Sequence, residues 1–291
     1  MTGGRVNAAL VSQAIAVVAA RSAGPRLPAG AAVTLNFHPD ALLGSDLMIV
    51  ALARDGIYRS QFETGTSNGG LTAHPGGERW RWESRMFGGV YDNADPALRP
   101  RYGALNHRHW PIGGSPRFGS AHLRLHDHVL DRTSFCYPDS HLEPQDFGVA
   151  DRMNLVALAD ANAAGLDVLD DYVEAHVHGP IDMAADVAAV VLDPCYRGTP
   201  IEAAARALPC PIEWHDGFRL AVDRLADCAA YRSPAVAAIL ARLAVAGVVT
   251  PKQIGLARQA PHDPQQLKQA WHCVARFGGP FGFAVAANRR A

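Results

Sequence analysis

The stretch "DYVEAHVHGPI", residues 171–181, alternates apolar and polar side chains as a β-strand does. Successive side chains of a strand point to opposite faces. The two faces are Val173, Ala175 and Val177 on one side, and Tyr172, Glu174, His176 and His178 on the other. Gly179-Pro180 then ends the strand. The pattern predicts a strand with an apolar back and a polar front. That front is either a solvent-exposed outer face, a metal site or one wall of a catalytic cleft.

The composition is that of an ordinary globular protein. The chain has 291 residues, of which 48% are hydrophobic and 19% charged, enough to bury a large core. A net charge of -1 gives no overall basic field for nucleic acid. Five cysteines without a C-x-x-C pair favour a reducing compartment. We therefore expect a cytoplasmic protein that uses no membrane, with a secreted, toxin-like role as the alternative.

Residues 1–55 are predicted to be an N-terminal helical segment that packs on the core. The stretch "VNAALVSQAIAVVAARSAG", residues 6–24, has apolar residues at helical spacing. We expect an amphipathic helix over 5–22 rather than a signal peptide, and a second helix near 41–54. Between them "VTLNF", residues 33–37, alternates as a short strand does.

Residues 56–218 are predicted to form an α+β core, with a mixed or antiparallel sheet and long loops. Glycine, proline, asparagine and aromatic residues are frequent up to about residue 151, and "DVAAVVLDP" at 186–194 reads as a buried strand. Residues 219–291 are predicted to be a C-terminal helical annex, because Ser-Pro at 233 and Asp-Pro at 263 are typical helix starts. The three parts are expected to form one compact unit.

Two further stretches repeat the apolar-back, polar-front pattern. "GIYRSQF", residues 56–62, places Arg59 and Gln61 on one face, and "RTSFC", residues 132–136, flanks Phe135 with hydroxyls and a thiol. If these fronts converge on Glu174, they form a cleft for a ligand with phosphates and hydroxyls, since Arg grips phosphate through its planar fork.

Four motifs carry a resemblance to a known family. In chain order "FHPD" (37–40), "YRSQFETGTSNGG" (58–70), "RYGALN" (101–106) and "EAHVHGPI" (174–181) resemble an uncharacterised bacterial domain-of-unknown-function family of about this length. The similarity covers most of the chain and implies no activity.

A second resemblance covers about a third of the chain. "RFGSAHLRLHDHVLDRTSFCYPDS" (117–140) and "YVEAHVHGPI" with "DVAAVVLD" (172–193) are similar to ADP-ribosyltransferase-like domains of phage head proteins and bacterial toxins. Enzymes of the Arg–Ser–Glu type use the order that Arg59, Ser134 and Glu174 follow here. The resemblance implies that Arg59 holds NAD, that Ser134 supports the nicotinamide pocket, and that Glu174 stabilises the oxocarbenium ion.

A wider set of ligand contacts is also expected. The residues expected to bind NAD, which is a substrate here, are Arg59, Ser60, Thr66, Ser67, His38, Tyr102, Thr133 and His176. No metal is expected, the partner is a small-molecule nucleotide, and the acceptor is not specified. Tyr172 departs from the family pattern, which often has Glu or Gln two residues before the catalytic Glu. If Glu174 filled that earlier position, His176 would stand in the catalytic one.

Two alternatives remain open from the sequence. Three H-x-H pairs, at 107/109, 126/128 and 176/178, could make the chain a metal-dependent hydrolase, because an H-x-H on a strand puts both imidazoles on one face. Glu174 would then be a ligand or a general base. The third possibility is a non-enzymatic binding module, which predicts that Arg59 and Glu174 are spatially separate.

Overall fold

A computed structural model describes residues 7–65, 72–162 and 165–279. Within these residues the strands are β1 Val33–Phe37, β2 Leu42–Leu43, β3 Asp46–Leu47, β4 Ile57–Tyr58, β5 Arg101–Leu105, β6 Ala121–Leu125, β7 Thr133–Tyr137, β8 Asp146–Val149, β9 Glu174–Val177, β10 Ile181–Asp182, β11 Val187–Leu192, β12 Ile212–Trp214, β13 Leu220–Ala221 and β14 Val248–Val249.

The helices fall in three groups along the chain: α1 Ala8–Ala19 and α2 Met48–Asp55 near the start, then α3 Gln61–Thr64, α4 Glu78–Met86, α5 Leu155–Asp160 and α6 Pro200–Ala205, and finally α7 Leu225–Tyr231, α8 Pro234–Leu243, α9 Pro251–Ala257 and α10 Pro264–Gly278. The last group is the helical C-terminal region that the sequence predicts. Both Pro234 and Pro264 stand at the first position of their helices, after the caps Ser233 and Asp263.

Eight strands form one mixed sheet in the order β12-β11-β6-β1-β5-β9-β7-β8. Every pair in it is antiparallel except β11 with β12, which are parallel and joined through α6. The strand predicted around residue 174 is β9, near one end of this sheet between β5 and β7. The predicted α+β class with a mixed sheet and a C-terminal helical region is therefore confirmed.

The main core lies on the face of the sheet that carries Val173, Ala175 and Val177. These side chains pack in one cluster with residues such as Leu35 and Leu123 from the neighbouring strands, and helices α2, α5 and α6 contribute to it. Alternation along the strands places their side chains on this face. The apolar back of the opening stretch is thus where the sequence predicts it.

The polar front of the same strand is buried as well. Glu174, His176 and His178 are all at most 4% exposed, because Phe87 and Tyr91 pack over the two imidazoles with ring centroids 5.0–5.8 Å apart. Helices α1 and α4 complete the cover with an apolar cluster. The reading of this front as a solvent-exposed outer face is wrong, since helices cover both faces of the sheet here.

The stretch 56–62 does not form the predicted strand. Only Ile57–Tyr58 is extended, and it pairs with β10 outside the main sheet. Ser60 then caps α3, with its hydroxyl accepting from the backbone N–H of Glu63 while the Glu63 carboxylate accepts from the N–H of Ser60. This capping box satisfies two helix-start donors at once and overrides the short alternation of polar and apolar residues.

The N-terminal segment contributes a central strand as well as helices. The predicted first helix is α1, the second begins later than expected, at Met48, and β1 lies between β6 and β5. The boundaries at residues 55 and 218 stay predictions.

The C-terminal helical region contacts the sheet through Trp271 of α10. Its Nε1 donates to the carbonyls of Pro116 and Arg117, in the loop before β6. Across the described ranges, no helix combines the length and hydropathy that crossing a membrane requires.

Candidate functional site

A pocket of about 300 Å³ is lined by the first residue of β9, by the first three residues of β5, and by residues of α2 and of the loops around α3 and residue 140. Its charged lining is balanced: four arginines, Arg59, Arg79, Arg101 and Arg117, face four acids, Asp55, Asp139, Asp170 and Glu174. Aromatic side chains also line it, including Tyr58, Tyr102, Phe118 and Tyr172. A concave site with converging charges and aromatic walls is typical of a small-molecule binding site.

Of the four acids in the lining, Glu174 is the buried one. It is 4% exposed and both carboxylate oxygens are engaged. Oε2 accepts from the Ser140 hydroxyl at 3.1 Å, and Oε1 lies 2.8 Å from Nε2 of His176. Since a carboxylate can only accept, Nε2 carries the ring proton in this arrangement. The two contacts fix the orientation of Glu174 toward the pocket.

Arg79 approaches the same acid through Ser140. Its Nη1 donates to the Ser140 hydroxyl at 2.8 Å, and its guanidinium lies over the ring of Tyr102, 4.0 Å from the centroid. The residue is 4% exposed, and its Nε has no hydrogen-bond partner among the described residues. Arg59, Arg101 and Arg117 each pair with a carboxylate, whereas the described residues place none on Arg79. A ligand anion would complete its partners.

Ser140 reaches this position because the chain turns at the end of β7. Asp139 caps the short helix Ser140–Leu142 by accepting from the backbone N–H of His141 at 2.7 Å. The Tyr172 hydroxyl donates to the other Asp139 oxygen, which fastens the turn to the chain just before β9. Residues 79, 140 and 174 therefore form a continuous relay, Arg79 to Ser140 to Glu174.

Burial dominates the electrostatics of the relay. It raises the pKa of Glu174, while Arg79 and the Ser140 hydrogen bond oppose the rise. Burial and the nearby Glu174 charge raise the pKa of Asp139. Burial, with Arg79 nearby, lowers the pKa of His176 to about 3, so its imidazole is neutral at physiological pH. Perturbed acids converging in a cleft are characteristic of functional sites, although ion-pair networks produce them too.

A second buried network supports the wall of the pocket. Arg99 donates to Glu83 at 2.6 Å and to the Tyr91 carbonyl at 2.7 Å, while the Tyr102 hydroxyl donates to Glu83 at 2.9 Å. Burial raises the pKa of Glu83 to about 7, with Arg99 opposing. Tyr102, below the Arg79 guanidinium, is held in place by this network.

Of the three predicted catalytic residues, the pocket brings two together. Arg59 and Glu174 both line it, although the Arg59 side chain is 48% exposed and pairs with Asp55 at 3.1 Å. Ser134 shares the sheet face of Glu174, but it lies outside the lining of the pocket and its hydroxyl sits 2.9 Å from Nε2 of His178. The prediction that the polar side chains around Ser134 line this cleft is wrong, because Tyr91, Phe87 and α4 cover that part of the sheet.

The other predicted ligand contacts stay predictions, and the structure shows where five of them lie. Tyr102 lines the pocket and His176 supports Glu174. Two of the remaining three are buried: the Ser60 hydroxyl donates to the Pro96 carbonyl, and Thr133 donates to the Val129 carbonyl. The third, His38, is half-buried and lies edge-on against Trp271. Thr66 and Ser67 lie outside the described residues.

The three H-x-H pairs do not gather around a common point. His107 lies against Asp160, His128 against Asp186, and His178 between Tyr91 and Ser134. Across the described parts of the chain, one set of three ligand atoms lies within 4.8 Å of one another, on Cys136, Glu174 and His176. A metal site built from these atoms uses one histidine and a thiol rather than a histidine pair.

The shared pocket also bears on the binding-module alternative, which predicts separation of Arg59 and Glu174. Both residues line one cavity.

The sequence patterns do not single out three residues of the site, Arg79, Glu83 and Ser140. A signal was present for the first two, since Arg79, Trp82, Glu83 and Met86 recur at i, i+3, i+4 and i+7 and all four are buried on α4.

The comparisons with known proteins identify the family and nothing further. A search of the curated proteins finds no match to the chain. The family model DUF3626, described as a protein of unknown function, matches residues 32–162 and 153–276, which together are most of the chain. The matched region contains β1, the main sheet, the Arg79–Ser140–Glu174 relay and most of the C-terminal helices. The resemblance to an uncharacterised domain family is thereby confirmed, and the chain belongs to the DUF3626 family.

Proposed function

We propose that the chain is an ADP-ribosyltransferase-like enzyme that breaks the nicotinamide–ribose bond of NAD, by transfer or by hydrolysis. The observation that carries the proposal is the relay Arg79–Ser140–Glu174, whose two charged residues line the pocket. Its chain order is the Arg, Ser, Glu order of the resembled enzymes, with Arg79 and Ser140 in the places that Arg59 and Ser134 were expected to take. Arg59 remains on the rim of the same pocket.

The chemistry that this arrangement supports is substitution at the ribose C1′ carbon. The bond from C1′ to the nicotinamide nitrogen breaks, and its electron pair leaves with nicotinamide, which becomes neutral. Positive charge develops on C1′ and the ring oxygen, and an ionised Glu174 stabilises it in a buried environment. Water or an acceptor hydroxyl, amine or amide then bonds to C1′ and gives up a proton.

The buried setting makes the orientation of Glu174 important. Ser140 and His176 hold its two oxygens, so little reorganisation is needed as charge develops. A neutral His176 donates to the carboxylate without adding a positive charge that would compete with the cationic carbon. The orienting contacts come from the turn after β7 and from β9 itself, both of which are fixed by the sheet.

The size of the pocket suggests how a dinucleotide would sit. A volume of about 300 Å³ is at the small end of ligand pockets, which run from roughly 300 to 1,000 Å³. We place the nicotinamide ribose inside, with Tyr102 and Tyr172 as aromatic walls. The phosphates would reach Arg79, and the rest of NAD would extend past the rim at Arg59 and Arg117.

The proposed step requires no metal, and this defines its test. The full chain is incubated with NAD in the presence of a chelator, and free nicotinamide is measured by chromatography. Release above that of buffer is the expected result. Release that appears only after a divalent ion is added would favour the metal-dependent hydrolase, and NAD binding without release with any acceptor tried would favour the binding module.

A further inference from the structure

Three potential metal ligands meet behind the pocket, on two neighbouring strands. The Cys136 Sγ lies 4.0 Å from Oε1 of Glu174 and 4.0 Å from Nε2 of His176, and those two atoms are 2.8 Å apart. Cys136 on β7 pairs directly with Glu174 on β9, and His176 follows two residues later on the same face. The sheet register therefore fixes the triangle, independently of any loop.

We propose that Cys136, Glu174 and His176 bind a thiophilic divalent ion of the zinc type. Zinc prefers tetrahedral coordination at about 2.0–2.3 Å from sulfur, nitrogen and oxygen, so its ligand atoms lie roughly 3.3–3.6 Å from one another. The observed separations differ from these by about half an ångström, which small side-chain rotations remove. All three residues are buried, and Glu174 borders the pocket, where water could take the fourth position.

Charge balance supports a divalent ion at this place. A Cys136 thiolate and a Glu174 carboxylate together neutralise one 2+ ion, while His176 is a neutral ligand. Burying an uncompensated charge costs free energy, whereas an ion and ligands whose charges sum to zero avoid most of that cost. The ion must displace the proton of the Cys136 thiol, so binding should tighten as pH rises.

The second ring nitrogen of His176, Nδ1, can carry the ring proton when Nε2 binds the ion. Nδ1 of His176 is buried, and within the described chain it has no hydrogen-bond partner. Ligation through Nε2 would place the ring proton on Nδ1. Metal-bound histidines commonly donate this other N–H to a carboxylate, a backbone carbonyl or water.

A consequence follows for the reaction, and it rests on the proposed function. An ion bound to Oε1 of Glu174 takes up the negative charge that the cationic ribose carbon needs. Zinc should therefore inhibit nicotinamide release, and a chelator should restore it. Metal binding itself is measured without NAD, so a chain with no NAD activity would still report on this site.

The direct test is a titration of the full, metal-free chain with Co²⁺, which substitutes for zinc and reports its ligands through its absorption spectrum. We expect one equivalent to bind, with a thiolate-to-cobalt charge-transfer band in the near ultraviolet and the visible bands of tetrahedral cobalt. Zn²⁺ should then displace the cobalt. A spectrum of hexahydrated cobalt at equimolar protein would overturn the proposal.

Matched variants locate the ion. Cys136→Ser should abolish the charge-transfer band, and His176→Gln should weaken Co²⁺ binding at least tenfold, whereas Cys195→Ser on the far side of the sheet should change neither. Circular dichroism checks that each variant is folded. If Cys136→Ser does not fold, Glu174→Gln provides a second test, since it removes a charged ligand at nearly constant shape and should weaken Co²⁺ binding at least tenfold. A charge-transfer band that survives the loss of Cys136, or an unchanged Co²⁺ affinity in Glu174→Gln, would contradict this site.

Discussion

The hydroxyl of Ser140 donates a hydrogen bond to Oε2 of Glu174 across 3.1 Å, between two residues 34 positions apart in the chain. The same hydroxyl accepts from Arg79 at 2.8 Å. A single serine thus connects a buried cation to a buried acid on the wall of one pocket. Neither charged group pairs directly with the other, so both are available to opposite ends of a ligand that has an anionic group and a developing cation.

Ser140→Ala should lower the rate of nicotinamide release by about tenfold or more, since hydrogen bonds to charged groups are worth roughly 1.5–3 kcal/mol. The loss comes from a less ordered Glu174 carboxylate, so it should affect turnover more than NAD affinity. The measurement is a steady-state assay of nicotinamide release. Ser134→Ala is the matched control and should keep its activity. A larger activity loss in Ser134→Ala than in Ser140→Ala would contradict the relay.

Arg79→Lys should weaken NAD binding by tenfold or more, measured by calorimetry on the parent and the variant. Lysine keeps the charge but loses the planar fork that holds both Ser140 and a phosphate. Arg59→Lys is the comparison and should change affinity less than threefold, because the Arg59 side chain is half exposed and paired with Asp55. If Arg59→Lys is the more damaging change, the phosphate contact belongs to the rim instead.

Acid should destabilise the fold through its buried histidines. Burial lowers the pKa of His178 to about 3, against about 6.5 in the unfolded chain. Its contribution to stability is fully present above pH 6.5 and is lost as pH falls from 6.5 toward 3. Between pH 7 and pH 5 this amounts to about 2 kcal/mol.

His178→Gln should therefore lose less stability than the parent between pH 7 and pH 5, by about 2 kcal/mol, as measured by urea unfolding at both values. His141→Gln, which changes an exposed histidine, should follow the parent. Equal pH dependence in all three chains would mean that His178 is not buried in its neutral form.

The alternation around residue 174 is enough to predict β9 and its apolar back, because period-two patterning maps directly to the two faces of a strand. It cannot show whether the polar front meets water or another layer. That depends on Phe87, Tyr91 and α4, which come from a segment about ninety residues earlier in the chain.

For a similar reason, the local sequence pattern does not predict the Arg79–Ser140–Glu174 relay. Ser140 and Arg79 come from a turn and a helix that meet Glu174 only in three dimensions, whereas the local alternation of polar and apolar residues points to Arg59 and Ser134. The capping box at Ser60 and Glu63 was legible in the sequence as S-x-x-E, and it would have argued against a strand through Arg59.

The proposed reaction requires Glu174 to stabilise positive charge on the ribose carbon of NAD. This role is tested by comparing Glu174→Gln with the parent, measuring NAD affinity by calorimetry and nicotinamide release by chromatography on the same samples. We expect release to fall about a hundredfold or more with little change in affinity, because the change removes charge while keeping shape. Full activity in Glu174→Gln, or complete loss of activity from His178→Gln alone, would contradict this role of Glu174.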